Sequence, residues 1–520
     1  MDRLKKFYVN GILMTAVTLI MRYVSVNFNI YISNKIGAVS MGIFTLVSSV
    51  YGFALTIATS GINLATTKLV SEAMGIASQR KDYNTQATVS AVMKKSLLFS
   101  LTVSSFTAII LFLSSNFIGN EILRDDRTVS SLQILAFSLP PIAISSSLCG
   151  YFTALRKVYK NALVQILGQL LRIFLCVVLL TSTIASDMES ACVAIVIGMT
   201  LSEISAFAVQ AFLYILEKRK VKIAAEGAHD KKLTKKLIPI TLPVALSAYM
   251  RSALITIEHL LIPWGLEKSG NTRDISLAAY GTLHSVVFPL VLFPSAISSS
   301  FAGLLVPEIS ESDAAGDKER IERIISRVLK TALIYSIGVA GVMMCLSNAF
   351  GEVIFPESQS GRYIALIAPL IPIMYLDTSV DSILKGLGYQ FYSMVVNIAD
   401  ALMSVVLVWL LLPRLGISGY IITVYFTEII NATLSITKLL LVTKTKVRIF
   451  EWIAKPIFCS VCAAFLLRLI LKSTSIYVSS AFSLVFAIIV ISLAYILFLV
   501  LCGAISPKKI SRSVCNFIKK

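Results

Sequence analysis

The sequence predicts an all-α integral membrane protein of about 14 transmembrane helices, with two six-helix lobes and two further helices at the C-terminal end. Three observations predict it. The 520 residues are 56% hydrophobic and 14% charged, with a mean hydropathy of +0.82, whereas a soluble domain is about 45–50% apolar and about 25% charged. Apolar stretches long enough to cross hydrocarbon recur along the whole length. The first half of the chain is also repeated in the second. Together these exclude an ordinary soluble domain and leave no room for a large extramembrane enzyme domain.

Windows of about 19 residues place apolar stretches at 8–32, 39–65, 88–113, 130–154, 158–182, 190–217, 237–264 and 275–305. The rest follow at 323–349, 363–385, 391–413, 417–442, 453–472 and 476–502. All are expected to be helical, because a helix satisfies its own backbone polar groups in lipid, and barrel strands would be shorter and alternating. The first stretch is too long for a signal-peptide core and lacks a small-residue cleavage site, so it is expected to stay in the mature protein.

An even number of spans puts both termini on one side, and basic residues choose it. The gap between the sixth and seventh spans holds Lys218, Arg219, Lys220, Lys222, Lys231, Lys232, Lys235 and Lys236. The gap between the eighth and ninth holds Lys318, Arg320, Arg323 and Arg327, while the first gap carries Lys35. The positive-inside rule then makes both ends cytoplasmic. The net charge of +19 is therefore topological, with attraction to anionic headgroups at 218–236 and 508–520. No nucleic-acid partner is expected, since no DNA- or RNA-binding module is present.

Cys459 and Cys462 have the spacing of a redox or metal pair but sit inside an apolar span without further ligands, so packing is the expected role. Three histidines, His229, His259 and His284, build no metal motif, and no metal site or cofactor is expected.

The duplication is gapless over one segment. Lys68-Leu69-Val70-Ser71-Glu72 through Val92-Met93-Lys94 matches Leu304-Leu305-Val306-Pro307-Glu308 through Val328-Leu329-Lys330 at a constant offset of 236. Met21-Arg22 matches Met250-Arg251, Pro140 matches Pro372, and Ser202-Glu203-Ile204 matches Thr427-Glu428-Ile429. Spans one to six thus repeat as seven to twelve. Both copies start from the same side, so the predicted lobes are related by a pseudo-two-fold axis along the membrane normal. The expected domains are an N-lobe at 1–217, a cytoplasmic basic linker at 218–236, a C-lobe at 237–447, and spans thirteen and fourteen with a basic tail at 448–520.

An ionisable group deep in a span costs at least about 2.5–3.5 kcal/mol, so it marks a cavity or a partner. Arg22 lies deep in the first span, which contains no acidic residue, and its repeat mate Arg251 lies at similar depth in the seventh. Thr18, Arg22, Ser25 and Asn29 share one helix face, as do Ser247, Arg251 and Glu258. Two lobes facing each other would present both guanidinium groups to one cavity. A guanidinium fits two phosphate oxygens at once, which makes Arg22, Arg251, Asn29 and Glu258 candidates for binding an anionic, phosphorylated substrate. The other reading is a structural ion pair of Arg22 or Arg251 with Glu203 or Glu428.

Acids concentrate in the second half. Asp377 and Asp381 are one turn apart in the tenth span, Asn397 and Asp400 in the eleventh, and Glu428 and Asn431 in the twelfth. Ser145, Cys149, Gln165 and Gly168 occupy the matching positions of spans four and five. Oxygen ligands on facing helices suit a small cation, and a buried carboxylate exchanges a proton; either couples transport to an ion gradient. Interhelical hydrogen bonding is the alternative, and the sequence does not choose Na⁺ over H⁺.

At these residues the chain resembles the stage V sporulation protein B-like group of polysaccharide and lipid-linked oligosaccharide flippases, within the multidrug/oligosaccharidyl-lipid/polysaccharide (MOP) exporter superfamily. The resemblance runs the whole length. It rests on Ile30-Tyr31-Ile32-Ser33-Asn34-Lys35-Ile36-Gly37 beside Arg22, on Ala58-Thr59-Ser60-Gly61-Ile62-Asn63-Leu64-Ala65, on Gly150-Tyr151-Phe152-Thr153-Ala154, and on Val306-Pro307-Glu308-Ile309-Ser310. It implies a two-lobed alternating-access flippase of the bacterial cytoplasmic membrane, not an enzyme. Its implied partners are membrane lipid and a polyprenyl-pyrophosphate-linked sugar, a peptidoglycan or polysaccharide precursor. It also implies arginines in the cavity, Na⁺ binding in the second lobe of some members, and a lipid-facing groove at spans thirteen and fourteen. Arg172 is the one further deep arginine the sequence offers.

Two rivals remain at this stage. A multidrug/cation antiporter of the same superfamily would prefer an acidic, aromatic cavity, against Arg22 and Arg251. A membrane-embedded glycosyltransferase acting on polyprenyl-linked sugars would carry larger outer loops or a catalytic domain.

Overall fold

The computed structural model describes residues 2–79, 85–181, 188–220, 237–298, 309, 312, 317–356, 359–445, 448–474 and 480–504. The basic linker beyond Lys220, the repeat segment at 304–308 and the basic tail beyond Ala504 lie outside the described residues.

In chain order the first half contains α1 (Asp2–Thr59), α2 (Ile62–Gln79), α3 (Thr85–Phe117), α4 (Arg127–Ala136), α5 (Leu139–Ala154), α6 (Val158–Thr181) and α7 (Met188–Lys220). Next come α8 (Leu237–Lys268), α9 (Arg273–Gly281), a π-helical stretch Thr282–Val287 and α10 (Phe288–Leu292). The remainder comprises α11 (Lys318–Cys345), α12 (Ser347–Ile354), α13 (Ser360–Ile367), α14 (Ile371–Gly386), α15 (Gln390–Leu415), α16 (Ile417–Thr443), α17 (Lys455–Thr474) and α18 (Ala481–Leu501). No strand occurs among the described residues, so the all-α membrane class holds.

Within the described residues every predicted apolar stretch falls on helix apart from short breaks, but the count of 14 spans is not reproduced. Among the described residues, 11 helices are long and apolar enough to cross a membrane, or 12 if α4 and α5, bent by 41°, form one span. Part of the difference is continuity: Ile20–Met74 passes as one 55-residue element although it holds two predicted stretches. Gly37 breaks α1 inside it at φ 78°, a left-handed conformation that glycine adopts without steric cost. The bend between α4 and α5 falls at Phe137 and Ser138, just before Pro140 and Pro141 in the first turn of α5, whose rings remove backbone donors.

The chain divides into two compact units, Met1–Phe28 with Lys35–Gly281, and Asn29–Asn34 with Thr282–Lys520. The predicted lobes are a relation of sequence, whereas these units are a division by packing. Accordingly α8 and α9, which open the second repeat, pack within unit 1.

Unit 1 is cored by Leu69, Val70, Ala73, Val92, Met93, Leu148 and Phe152 from α2, α3 and α5. A buried hydroxyl chain crosses the same three helices: Thr66 pairs with Ser96, Ser96 Oγ donates to Ser147 Oγ at 3.1 Å, and Ser147 pairs with Ser100. Such bonds join helices where apolar contact with lipid competes equally well. Lys157 and Lys160 both donate to Glu217, fastening the start of α6 to the end of α7. Elsewhere Asp125, 4% exposed at its side chain, lies between Arg127 and Arg273, which also donates to Glu267 at 2.6 Å. Tyr249, Ser252 and Thr256 line one edge of α8 and donate to Ile57 O, Thr56 Oγ1 and Ser49 O of α1.

Unit 2 is cored by Ile325, Leu329, Val380, Ile383, Leu384, Leu439 and Trp452. Helix α11 begins at Asp317, whose carboxylate accepts the Arg320 amide at 2.9 Å. Helices α17 and α18 dock on α11 where it is stripped to glycine: a Cβ at Gly338 would lie 2.5 Å from the Tyr495 ring, and one at Gly341 would strike Ser460 Oγ. Close approach lets Tyr495 donate its hydroxyl to Ile334 O at 2.7 Å. Large apolar side chains such as Phe106, Leu113, Phe174, Phe465 and Phe482 stay exposed, as faces turned to acyl chains require.

Candidate functional site

The predicted arginine pair falls within unit 1. Arg22 is half-buried on α1, and Arg251 is exposed on α8. On α8 the bonded edge of Tyr249, Ser252 and Thr256 leaves Ser247, Arg251, Ile255 and Glu258 on the other edge. Glu258 is half-buried and within electrostatic range of the buried Tyr280, whose hydroxyl lies 2.6 Å from His259 Nδ1. Asn29 is half-buried and belongs to the short segment that packs with unit 2. On α1 the stripe continues at Ser25, which accepts from Gln169 of α6 at 3.2 Å.

The second-half polar residues converge within unit 2. Helices α14, α15 and α16 pack together, and Asn431 of α16 donates to Asp377 Oδ2 of α14 at 3.4 Å. Asp381, Asp400 and Lys385 lie in electrostatic range of Asp377, and Ser435 within its hydrogen-bonding reach. Asp377 and Asp400 are in range of Glu428. Asp377 Oδ1 and Asn431 Oδ1 are buried with no hydrogen-bond partner, and Asn431 as a whole is only 7% exposed. Buried lone pairs without donors are uncommon, because desolvating them costs free energy that nothing returns. Asp381 is held by Lys385 one turn on, and Asn397 donates to Ser393 O of its own helix at 2.7 Å. The centre is thus Asp377, Asp400, Glu428 and Asn431, with Asp381 and Asn397 committed to neighbours on their own helices.

Two features escaped sequence reasoning. Arg172 of α6 donates to Glu203 of α7, so the glutamate considered as a partner for Arg22 or Arg251 belongs to another arginine. Its signal was present in the sequence as a third deep arginine. The second is an apolar groove of about 850 Å³ in unit 2. Ile337 and Met344 of α11, Leu376 of α14, Ile436 of α16 and Phe465 of α17 line it, and Arg468 is its charged lining residue. At the groove α17 meets α11 closely at Gly341, where Ser460 fills the place of a Cβ, and again where Cys345 Sγ faces Ala464 O.

The all-helical fold with many candidate spans defines a class, a multi-pass membrane protein; its sequence family and relatives put it among the transporters of the MOP exporter superfamily. The chain belongs to the polysaccharide biosynthesis protein family, whose sequence profile matches residues 7–313; a MatE profile matches 269–410. It is 24% identical over 428 residues to stage V sporulation protein B of Bacillus subtilis (strain 168), covering 80% of each chain. To the lipid II flippase MurJ of the same strain it is 24% identical over 430 residues, 76% of this chain and 75% of that one. A structure of lipid II flippase MurJ in an inward closed conformation superposes with a TM-score of 0.69 at 14% identity, over 94% of this chain and 98% of that one. An inward-facing multidrug resistance MATE family transporter gives 0.63 at 13% identity, over 82% and 96%. The structural likeness is one of fold. The relatives named for an activity are flippases and transporters, and this chain is a transporter rather than an enzyme.

Proposed function

We propose that the protein flips a polyprenyl-pyrophosphate-linked sugar, a peptidoglycan or polysaccharide precursor, across the bacterial cytoplasmic membrane by alternating access coupled to a Na⁺ or H⁺ gradient. Lipid II, the cargo in the name of the MurJ relative, belongs to this chemical class. The observation that carries the reading is Arg251: a fixed positive charge on the exposed edge of α8, opposite the edge bonded to α1. Its repeat mate Arg22 supplies the same chemistry from the first helix of the other half. A pyrophosphate presents the oxygens a guanidinium fork takes in pairs. The groove beside α17 has the volume and apolar lining to keep part of a prenyl chain out of water.

The acidic centre of unit 2 supplies the coupling site. Asp377, Asp400 and Glu428 hold like charges in a low-dielectric setting, which one proton or one small cation relieves. The unpartnered oxygens of Asp377 and Asn431 are the ligands such a cation would use. Both termini are read as cytoplasmic from the Lys and Arg asymmetry.

Ligand stabilisation tests the substrate class. Purified protein in lipid nanodiscs is heated with polyprenyl pyrophosphate, polyprenyl alcohol or a lipophilic cation. Stabilisation by the pyrophosphate lipid, lost in Arg251→Ala, supports the reading; stabilisation by the lipophilic cation alone supports a drug antiporter instead.

A further inference from the structure

The two halves differ in charge at position 172. The offset of 232 that relates Pro140 to Pro372 also carries α6 onto α15, with first residues Val158 and Gln390 in register. Gly168 then answers to Asp400, and Arg172 to Ser404. The offset of 225 carries Glu203 of α7 onto Glu428 of α16. One glutamate therefore stands at the same place in both repeats, in opposite company. In unit 1, Glu203 accepts from Arg172, and Tyr51 of α1 is within range of both. In unit 2, the groups in range of Glu428 are Asp400 of α15 and Asp377 of α14. Ser404, where Arg172 would be, is buried and carries no charge.

We propose that Arg172 is a built-in counter-cation, doing for Glu203 what a dissolved cation does for Glu428. The proposal rests on the ion-coupling reading above and adds its restriction to one half of the molecule. A guanidinium keeps its proton at any physiological pH and is covalently tethered, so the Arg172–Glu203 pair has constant charge through a transport cycle. The groups in range of Glu428 are both acidic and Ser404 supplies no cation, so the charge balance at Glu428 follows the concentration of protons or Na⁺ outside the protein. Lys385, in range of Asp377, is paired with Asp381. Arg172 reaches Glu203 through Nη2 while its Nε is buried without a hydrogen bond. The contact is a charge pairing rather than a two-pronged fork, which a smaller cation can replace. Arg172 thus sets which half of a duplicated transporter responds to the ion gradient.

The test uses the full-length protein in nanodiscs, with thermal midpoints read across a NaCl series balanced by choline chloride, at pH 6 and pH 8. Three variants are compared with the wild type: Arg172→Met, Arg172→Met with Glu203→Gln, and Ser404→Arg. Arg172→Met is expected to melt lower than wild type at low Na⁺ and pH 8, and to recover most of that loss when Na⁺ is raised or pH lowered. The double variant is expected to lose this extra response, because no orphan carboxylate remains. Ser404→Arg is expected to lose at least half of the wild-type cation response. An Arg172→Met protein whose loss is the same at every Na⁺ concentration and both pH values overturns the proposal, as does a folded Ser404→Arg that responds like wild type. A wild type indifferent to both cations defeats the coupling reading itself, and the Arg172→Met series then decides this proposal separately.

Discussion

Asn431 and Asp377 meet through one hydrogen bond of 3.4 Å, from Asn431 Nδ2 to Asp377 Oδ2, while Asp377 Oδ1 and Asn431 Oδ1 are both buried with no partner. Two side chains so placed hold each other and still offer two lone pairs inward. That arrangement fits a cation that comes and goes better than a finished structural network, in which every buried polar atom would be satisfied.

Removing either oxygen is therefore expected to uncouple transport. Asp377→Asn and Asn431→Leu should lower the Na⁺ or H⁺ stimulation of transport at least about tenfold, equivalent to about 1.4 kcal/mol of cation binding. Transport rates in vesicles with and without an imposed gradient check it. Variants stimulated as strongly as wild type would assign the pair to packing.

The seat of α18 on α11 should be sensitive to one methyl group. Gly338→Ala places a carbon 2.5 Å from the Tyr495 ring and pushes it off its 2.7 Å bond to Ile334 O. Overpacking of this kind costs about 1–3 kcal/mol, and Tyr495→Phe should cost about 0.5–1.5 kcal/mol by losing the hydrogen bond alone. Thermal midpoints in nanodiscs should fall in that order; a Gly338→Ala midpoint equal to wild type would contradict the packing described.

Asp125 should be coupled energetically to both arginines beside it. Asp125→Ala leaves Arg127 and Arg273 facing each other across a site where the carboxylate was 4% exposed. The expected loss is about 1–3 kcal/mol, below the range for a fully buried pair because both arginines are about three-tenths exposed. A double-mutant cycle with Arg273→Ala should show non-additivity of at least about 0.5 kcal/mol. Strict additivity would mean that the contact carries no energy.

The helices were legible in the sequence because hydrocarbon allows few alternatives: among the described residues the stretches of sufficient apolar length are helical. The convergence of Asp377, Asp400, Glu428 and Asn431 was also legible, since charged residues one turn apart on consecutive hairpin helices must face inward or be expelled. Partner choice was not legible. Glu203 was available to Arg22, Arg251 or Arg172 by composition alone, and helix packing gave it to Arg172. The Asp125, Arg273 and Glu267 cluster joins the connection before α4 to the facing ends of α8 and α9, a proximity that no periodicity reports. Part of the shift in the count of spans comes from α1, where stretches that the sequence separates run on across the kink at Gly37 as one long element. The packing of α8 and α9 into unit 1 is likewise invisible to a repeat search, which compares residues and not contacts.

The most direct measurement is leaflet exchange of a fluorescent polyprenyl-pyrophosphate disaccharide in vesicles containing equal amounts of wild type, Arg22→Ala or Arg251→Ala. The account expects rapid exchange with wild type and at least about tenfold slower exchange with each variant, equivalent to about 1.4 kcal/mol of lost substrate stabilisation. Exchange by both variants at the wild-type rate, with all three proteins equally incorporated and folded, would contradict it.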